Sequence, residues 1–221
     1  MTVETEAGQV GRGAHVLLLL TLLLIAVQPM GTVGGGIYSR VILGAILIAC
    51  MSAVYPHRWL FIVGLVLGVP ALGLIVFSPF TAVGSAGLVL GMATISFVCV
   101  VLLRSIFLSH TVTAASVSAS LVVYLLFGVV WWLAYVLAET YAPGSFYGLG
   151  NGDVLEMRRE LFYFSYVTLT TLGYGDIGPV GSGARSLVIT QAVVGQLYLV
   201  VLVASLVGLF LNQRGKVDPT E

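Results

Sequence analysis

The sequence predicts an all-α membrane protein: six transmembrane helices, plus one short re-entrant helix followed by an irregular loop. Three observations carry this. The chain is 59% hydrophobic and only 8% charged over 221 residues, whereas a soluble domain carries about 25% charged residues. Six runs are long and apolar enough to cross a bilayer, at about 17–25 residues each. Between the last two lies a polar stretch that turns apolar for too few residues to span.

The six runs are 14–30, 37–55, 59–78, 81–103, 113–138 and 184–211. The breaks between them carry turn and charge signals: Gly34-Gly35-Gly36, Tyr55-Pro56-His57-Arg58, Ser78-Pro79, and Arg104 to His110. Pro70 falls inside the third run, where a kink is expected and tolerated. Arg12 ahead of a leucine-rich run fits a signal peptide. Glu4, Glu6 and the lack of a small-residue cleavage site favour a retained span.

Net charge is zero, which points away from nucleic acid. Cys50 and Cys99 lie inside apolar runs and read as small buried hydrophobes. No Gly-x-Ser-x-Gly or His-Glu-x-x-His occurs, and His15, His57 and His110 sit near predicted helix ends. Neither an enzyme nor a resident cofactor is expected. Residues 59–103 hold no Lys, Arg, Asp or Glu, and Arg104 stands at the end of the fourth run. A lone terminal arginine snorkels more often than it senses voltage.

Residues 139–183 form the stretch between the last two runs. Pro143-Gly144, Gly148 to Gly152, Asp153, Glu156, Arg158, Arg159 and Glu160 make it polar at first. From Leu161 to Thr171 it is apolar. A helix that enters the membrane and returns is the reading, because non-helical backbone at that depth must face protein or a water-filled path. The string that follows is Thr168-Leu169-Thr170-Thr171-Leu172-Gly173-Tyr174-Gly175-Asp176. Successive carbonyls of an ordinary strand point to opposite sides. Aiming them all one way requires alternate left-handed residues, which cost least at glycine. Gly173 and Gly175 meet that demand, and the Thr171 hydroxyl adds an oxygen at one end. Such a row of neutral dipoles can replace the hydration shell of a potassium ion without holding it too tightly.

Thr171-Leu172-Gly173-Tyr174-Gly175 resembles the signature loop of potassium channels, whose usual form is Thr-Val-Gly-Tyr-Gly. Leu172 in place of valine is a mild departure. Residues 111–212 look like the pore domain of bacterial six-span potassium channels with one pore loop per chain. Matching stretches are Val122-Val123-Tyr124-Leu125-Leu126-Phe127-Gly128, Ala142-Pro143-Gly144-Ser145-Phe146, Tyr163-Phe164-Ser165-Tyr166 and Val194-Gly195-Gln196-Leu197-Tyr198-Leu199. Residues 1–110 are similar only in being hydrophobic spans.

The resemblance implies a division of labour along the chain. Residues 1–13 and 213–221 are short cytoplasmic tails, 14–110 a four-helix domain without voltage-sensor charges, and 111–212 the pore domain. It implies a homotetramer in the plasma membrane with both termini cytoplasmic. The charges support that sidedness only five to four: Arg12, Arg58, Arg104, Arg214 and Lys216 against Arg40, Arg158, Arg159 and Arg185. Expected partners are K+, three further copies of the chain, and lipid.

Residue by residue, the resemblance implies K+ coordination by Thr171, Leu172, Gly173 and Tyr174, with Gly175 and Asp176 at the outer end. Residues 160–170 would form the pore helix. Gly195, twenty positions past Gly175, falls at the family's inner-helix hinge, and a packing glycine is the equal alternative. Val203, Ala204, Val207 and Leu211 fall where inner helices converge into a gate. Tyr163 and Phe164 stand where the family has two tryptophans. The Tyr163 hydroxyl can reach Asp176, but Phe164 cannot donate to the filter tyrosine, which leaves Thr168 of a neighbour as a partner for Tyr174. Glu139 would brace the loop behind the filter or stay solvated. Gly178 occupies the position where an aromatic favours block by external tetraethylammonium, so poor block is expected. The alternative function is a non-conducting accessory or transporter-like subunit.

Overall fold

A chain this apolar satisfies its backbone polar groups in lipid only through helices or a closed barrel. Its runs are too long for strands and are rich in Leu, Val, Ala and Ile, so helices follow. The computed structural model describes residues 18–19, 21–23, 25, 44–46, 48, 58–77, 82–108, 114–150 and 152–214. The first two expected spans lie almost wholly outside the described residues.

Five helices follow in order: α1 (Arg58–Phe77), α2 (Ala82–Leu108), α3 (Ala114–Tyr141), α4 (Val154–Leu169) and α5 (Ser182–Arg214). A two-residue strand β1 (Phe146–Tyr147) precedes α4, and β2 (Gly178–Pro179) precedes α5. Three stretches among the described residues are long and apolar enough to cross a membrane: Ser85–Arg104, Ser116–Tyr141 and Ser182–Ser205. They correspond to the fourth, fifth and sixth expected spans. The third expected span is the continuous helix α1, with Pro70 inside it.

α1 packs on α2, α2 on α3, and α3 on both α4 and α5. The core runs along this row. Leu88, Ile95, Val98, Cys99 and Leu102 of α2 belong to the same buried cluster as Val122, Val123, Leu126, Val129, Leu133 and Val136 of α3. Cys99 is a free, buried thiol. Ser85 and Tyr141 share a 2.9 Å hydroxyl–hydroxyl bond that ties the end of α3 to the start of α2.

α4 corrects the expected pore-helix boundary. The helix begins at Val154, six residues before the expected 160, and ends at Leu169. Asp153 is its N-cap: Oδ1 accepts from the Glu156 backbone N–H at 2.8 Å. Asp-x-x-Glu is a capping signal legible in the sequence. The cluster Glu156, Arg158, Arg159 and Glu160, read as turret, is the first two turns of this helix. At 16 residues and about 1.5 Å per residue it is too short to span.

Candidate functional site

The site begins where α4 ends. Thr170 is the C-cap. Thr171 N–H donates to the Thr168 carbonyl at 3.0 Å, and Leu172 N–H to the Val167 carbonyl at 2.9 Å. This paired pattern is a Schellman stop, in which the residue after the cap is left-handed. That residue is usually glycine. Here it is Thr171, with φ +59°, and it is the one non-glycine residue with positive φ among the described residues. A β-branched residue in that well costs about 1–2 kcal/mol. Such strain is held where the surrounding structure over-determines it.

The alternation then continues. Gly173 has φ +57° and Gly175 φ +78°. Left-handed backbone therefore recurs at 171, 173 and 175, with Leu172 and Tyr174 between. The helix stop and the first step of the alternation are the same residue. The glycine pattern signals the second and third positions but not Thr171.

Residues 170–176 are all exposed within one chain, Tyr174 at 66% and Leu172 at 55%. Behind them the loop is braced. The Tyr163 hydroxyl hydrogen-bonds Asp176, which with lesser effects of burial and of the Asp176 and Tyr174 charges raises the phenol above its ordinary value. Within the chain, the Thr168 carbonyl accepts from the Thr171 N–H. Phe164 is buried, its ring packed on Tyr135 and Phe146 with centroids at 5.4 and 5.6 Å.

The turret closes on the outer end of this segment. β1 pairs antiparallel with β2, Tyr147 opposite Gly178. A Cβ on Gly178 would lie 2.6 Å from the Tyr147 ring, so that ring fills the space a side chain at 178 would use. The Tyr147 hydroxyl lies 3.4 Å from the Gly175 carbonyl. Sequence reasoning missed Tyr147; only the strand pairing brings it here. Glu139 accepts from the backbone N–H of Gly144 at 2.7 Å and of Phe146 at 3.2 Å. It braces the turret that carries Tyr147.

Aromatic side chains clasp the three helices around the site. Tyr124 donates to the Leu169 carbonyl at 3.1 Å, Tyr166 to Leu125 at 2.9 Å, Trp131 to Leu187 at 3.1 Å, Trp132 to Arg158 at 2.8 Å, and Tyr198 to Ser120 at 2.7 Å. Gly128 makes room for the Tyr166 ring, which a Cβ there would meet at 2.6 Å. Gly195 backs onto Leu169: a Cβ would lie 2.9 Å from Leu169 Cδ1 and 3.4 Å from its carbonyl oxygen. A Cβ there would make the Leu169 side chain shift.

α5 is far less covered than α3. Only 11% of its most apolar window is buried, against 50% for α3. Val203 is 58% exposed and Val207 51% exposed, and Ala204 is exposed with them. Leu211 lies in α5, but its side chain lies outside the described residues. Ile189, Val193, Leu197 and Val200 form an exposed apolar stripe along the same helix. A stripe of this kind in a membrane helix is a surface for other helices or for lipid.

Comparison with known proteins bears on the same stretch. Residues 119–212 match the family model described as ion channel. The inward rectifier potassium channel Kirbac3.1 of Paramagnetospirillum magnetotacticum is 41% identical over 58 residues, covering 24% of this chain and 20% of that protein. The match therefore spans about a fifth of that relative's length. No solved structure matches the chain. These similarities support an ion channel rather than an enzyme, carried by a mostly helical membrane protein.

Proposed function

We propose that the chain is one subunit of a potassium-selective channel, a fourfold homotetramer in the plasma membrane with both termini cytoplasmic. The observation that carries this reading is the left-handed backbone at Thr171, Gly173 and Gly175. Alternate left-handed residues turn successive carbonyls to one side. Four such loops around an axis make a column of oxygen cages, and one loop supplies a quarter of each. In this arrangement the carbonyls of Thr171, Leu172, Gly173 and Tyr174 and the hydroxyl of Thr171 replace the water of a K+ ion. Conduction is passive, from cage to cage.

The remaining parts take roles around the column. The C-terminal end of α4 carries the negative end of the helix dipole and favours a cation beside it. Asp176, held by Tyr163, and Gly175 form the outer end. Tyr147 and the Glu139-braced turret back that end. Val203, Ala204, Val207 and Leu211 line the inner mouth, where a ring of apolar side chains closes by dewetting. Gly195 both admits Leu169 and gives the inner helix its pivot. The spans before α3 form a jacket without the charge for strong voltage sensing.

The apolar stripe on α5 and the exposed filter residues support assembly, because neighbouring copies would cover both. A non-conducting accessory or transporter-like subunit is the second reading. The complete Thr-x-Gly-Tyr-Gly loop, with its full left-handed alternation, favours conduction. Purified protein in liposomes tests the proposal. Potassium and rubidium are expected to pass well and sodium poorly, and equal sodium and potassium permeability would sink the filter assignment.

A further inference from the structure

Three buried polar side chains meet in the apolar interior where α3, α4 and α5 pack together. Gln191 of α5, Ser165 of α4 and Tyr135 of α3 are each 0% exposed. Gln191 Nε2 donates to the Ser165 carbonyl at 3.0 Å and to Ser165 Oγ at 2.9 Å. Ser165 Oγ donates to the Gly128 carbonyl at 2.8 Å. The Tyr135 hydroxyl donates to Gln191 Oε1. The Ser165 carbonyl can only accept, so the amide nitrogen must face α4 and its oxygen must face Tyr135. One side chain therefore donates to α4 and accepts from α3, which no apolar residue at 191 can do. A buried network of this kind is rigid when fully satisfied and costly when broken.

The junction is in register with the filter. Gln191 meets Ser165, and one turn on, Gly195 meets Leu169. Both pairs step by four residues, so α5 grips α4 at two consecutive turns. Leu169 is the last residue of α4, two positions before the strained Thr171. Any rotation or slide of α4 against α5 moves the Schellman stop that sets the first left-handed residue.

We propose that Gln191 is a positioning residue for the filter: by locking α4 to α5 and α3 it sets the cage geometry, and hence the affinity of the filter for K+. This rests on reading Thr171 to Gly175 as a potassium filter. Gln191→Met keeps length and volume and removes all three hydrogen bonds of the side chain. Ser165→Ala is the milder second variant, since it keeps the Ser165 carbonyl.

The test is the thermal stability of the detergent-solubilised protein, titrated with potassium against sodium at fixed ionic strength. Wild type is expected to be stabilised by potassium with a defined half-effect concentration. Gln191→Met is expected to raise that concentration about tenfold, the size usual for residues that couple elements without touching the ligand. Ser165→Ala shifts it the same way by less, and it carries the test if Gln191→Met does not assemble. A merely structural role lowers the midpoint equally at every potassium concentration and leaves the half-effect concentration in place; that outcome overturns the proposal. Wild-type protein that responds alike to sodium and potassium overturns the filter reading itself, and this proposal with it.

Discussion

Gly144 and Gly148 are two turret glycines with nearly the same backbone, φ +82° and +81°. Alanine at either position incurs left-handed strain of about 1–2 kcal/mol. Their surroundings differ. A Cβ on Gly144 meets nothing within 4 Å, whereas a Cβ on Gly148 would lie 2.0 Å from the Asp176 carbonyl oxygen and 3.1 Å from Ile177 Cα. Both of those atoms are backbone, so no rotamer change relieves the clash. Overpacking adds about 1–3 kcal/mol. Gly148→Ala is thus expected to cost about 2–5 kcal/mol per subunit, or about 8–20 kcal/mol over four, against about 4–8 kcal/mol for Gly144→Ala. The larger sum rivals the whole stability of a typical domain, about 5–15 kcal/mol. The displaced atoms directly follow Gly175, so relief of the clash distorts the outer end of the filter. The assay is tetramer survival on heating, with potassium flux on the same preparations. Gly144→Ala is expected to assemble and conduct with a lowered midpoint, and Gly148→Ala to lose conduction. Equal behaviour of the two variants would refute the claim that the turret presses on the filter.

Gly173→Ala meets no atom within 4 Å in one chain and φ there is +57°, so backbone strain alone is expected to abolish conduction while tetramers still form; normal flux would show that position 173 is not left-handed in the working channel. Voltage dependence is expected to be weak, because residues 59–103 carry no formal charge; a gating valence above about four elementary charges would mean that charge moves elsewhere in the chain. Gly178→Tyr by itself is expected to lower tetramer stability, because its Cβ would meet the Tyr147 ring at 2.6 Å. Adding Tyr147→Ala should restore assembly and strengthen block by external tetraethylammonium about tenfold or more through cation–π contact; a dose–response curve unchanged from wild type in the double variant would place position 178 away from the pore entrance.

Much of this protein is legible in one dimension. Helices and membrane were determined by composition, since a chain this apolar must satisfy its backbone within each segment. The demand for left-handed residues at Gly173 and Gly175 followed from the need to align carbonyls, and only the alternation of glycine expresses it. The start of α4 at Asp153 was also written in the sequence, as a capping pair with Glu156, but the charges after it mimic a surface loop. Tertiary structure decided the rest. Thr171 is left-handed where the helix stop meets the first step of the alternation, and no propensity predicts that for a β-branched residue. Tyr147 reaches Gly175 across 28 positions of sequence, and Gln191 reaches Ser165 across 26. Neither contact leaves a local pattern, because a hydrogen bond between helices depends on how their faces are turned toward each other. Gly195 shows the limit most plainly: its sequence position suits a hinge or a packing contact equally, and only the tertiary structure shows that it packs against Leu169.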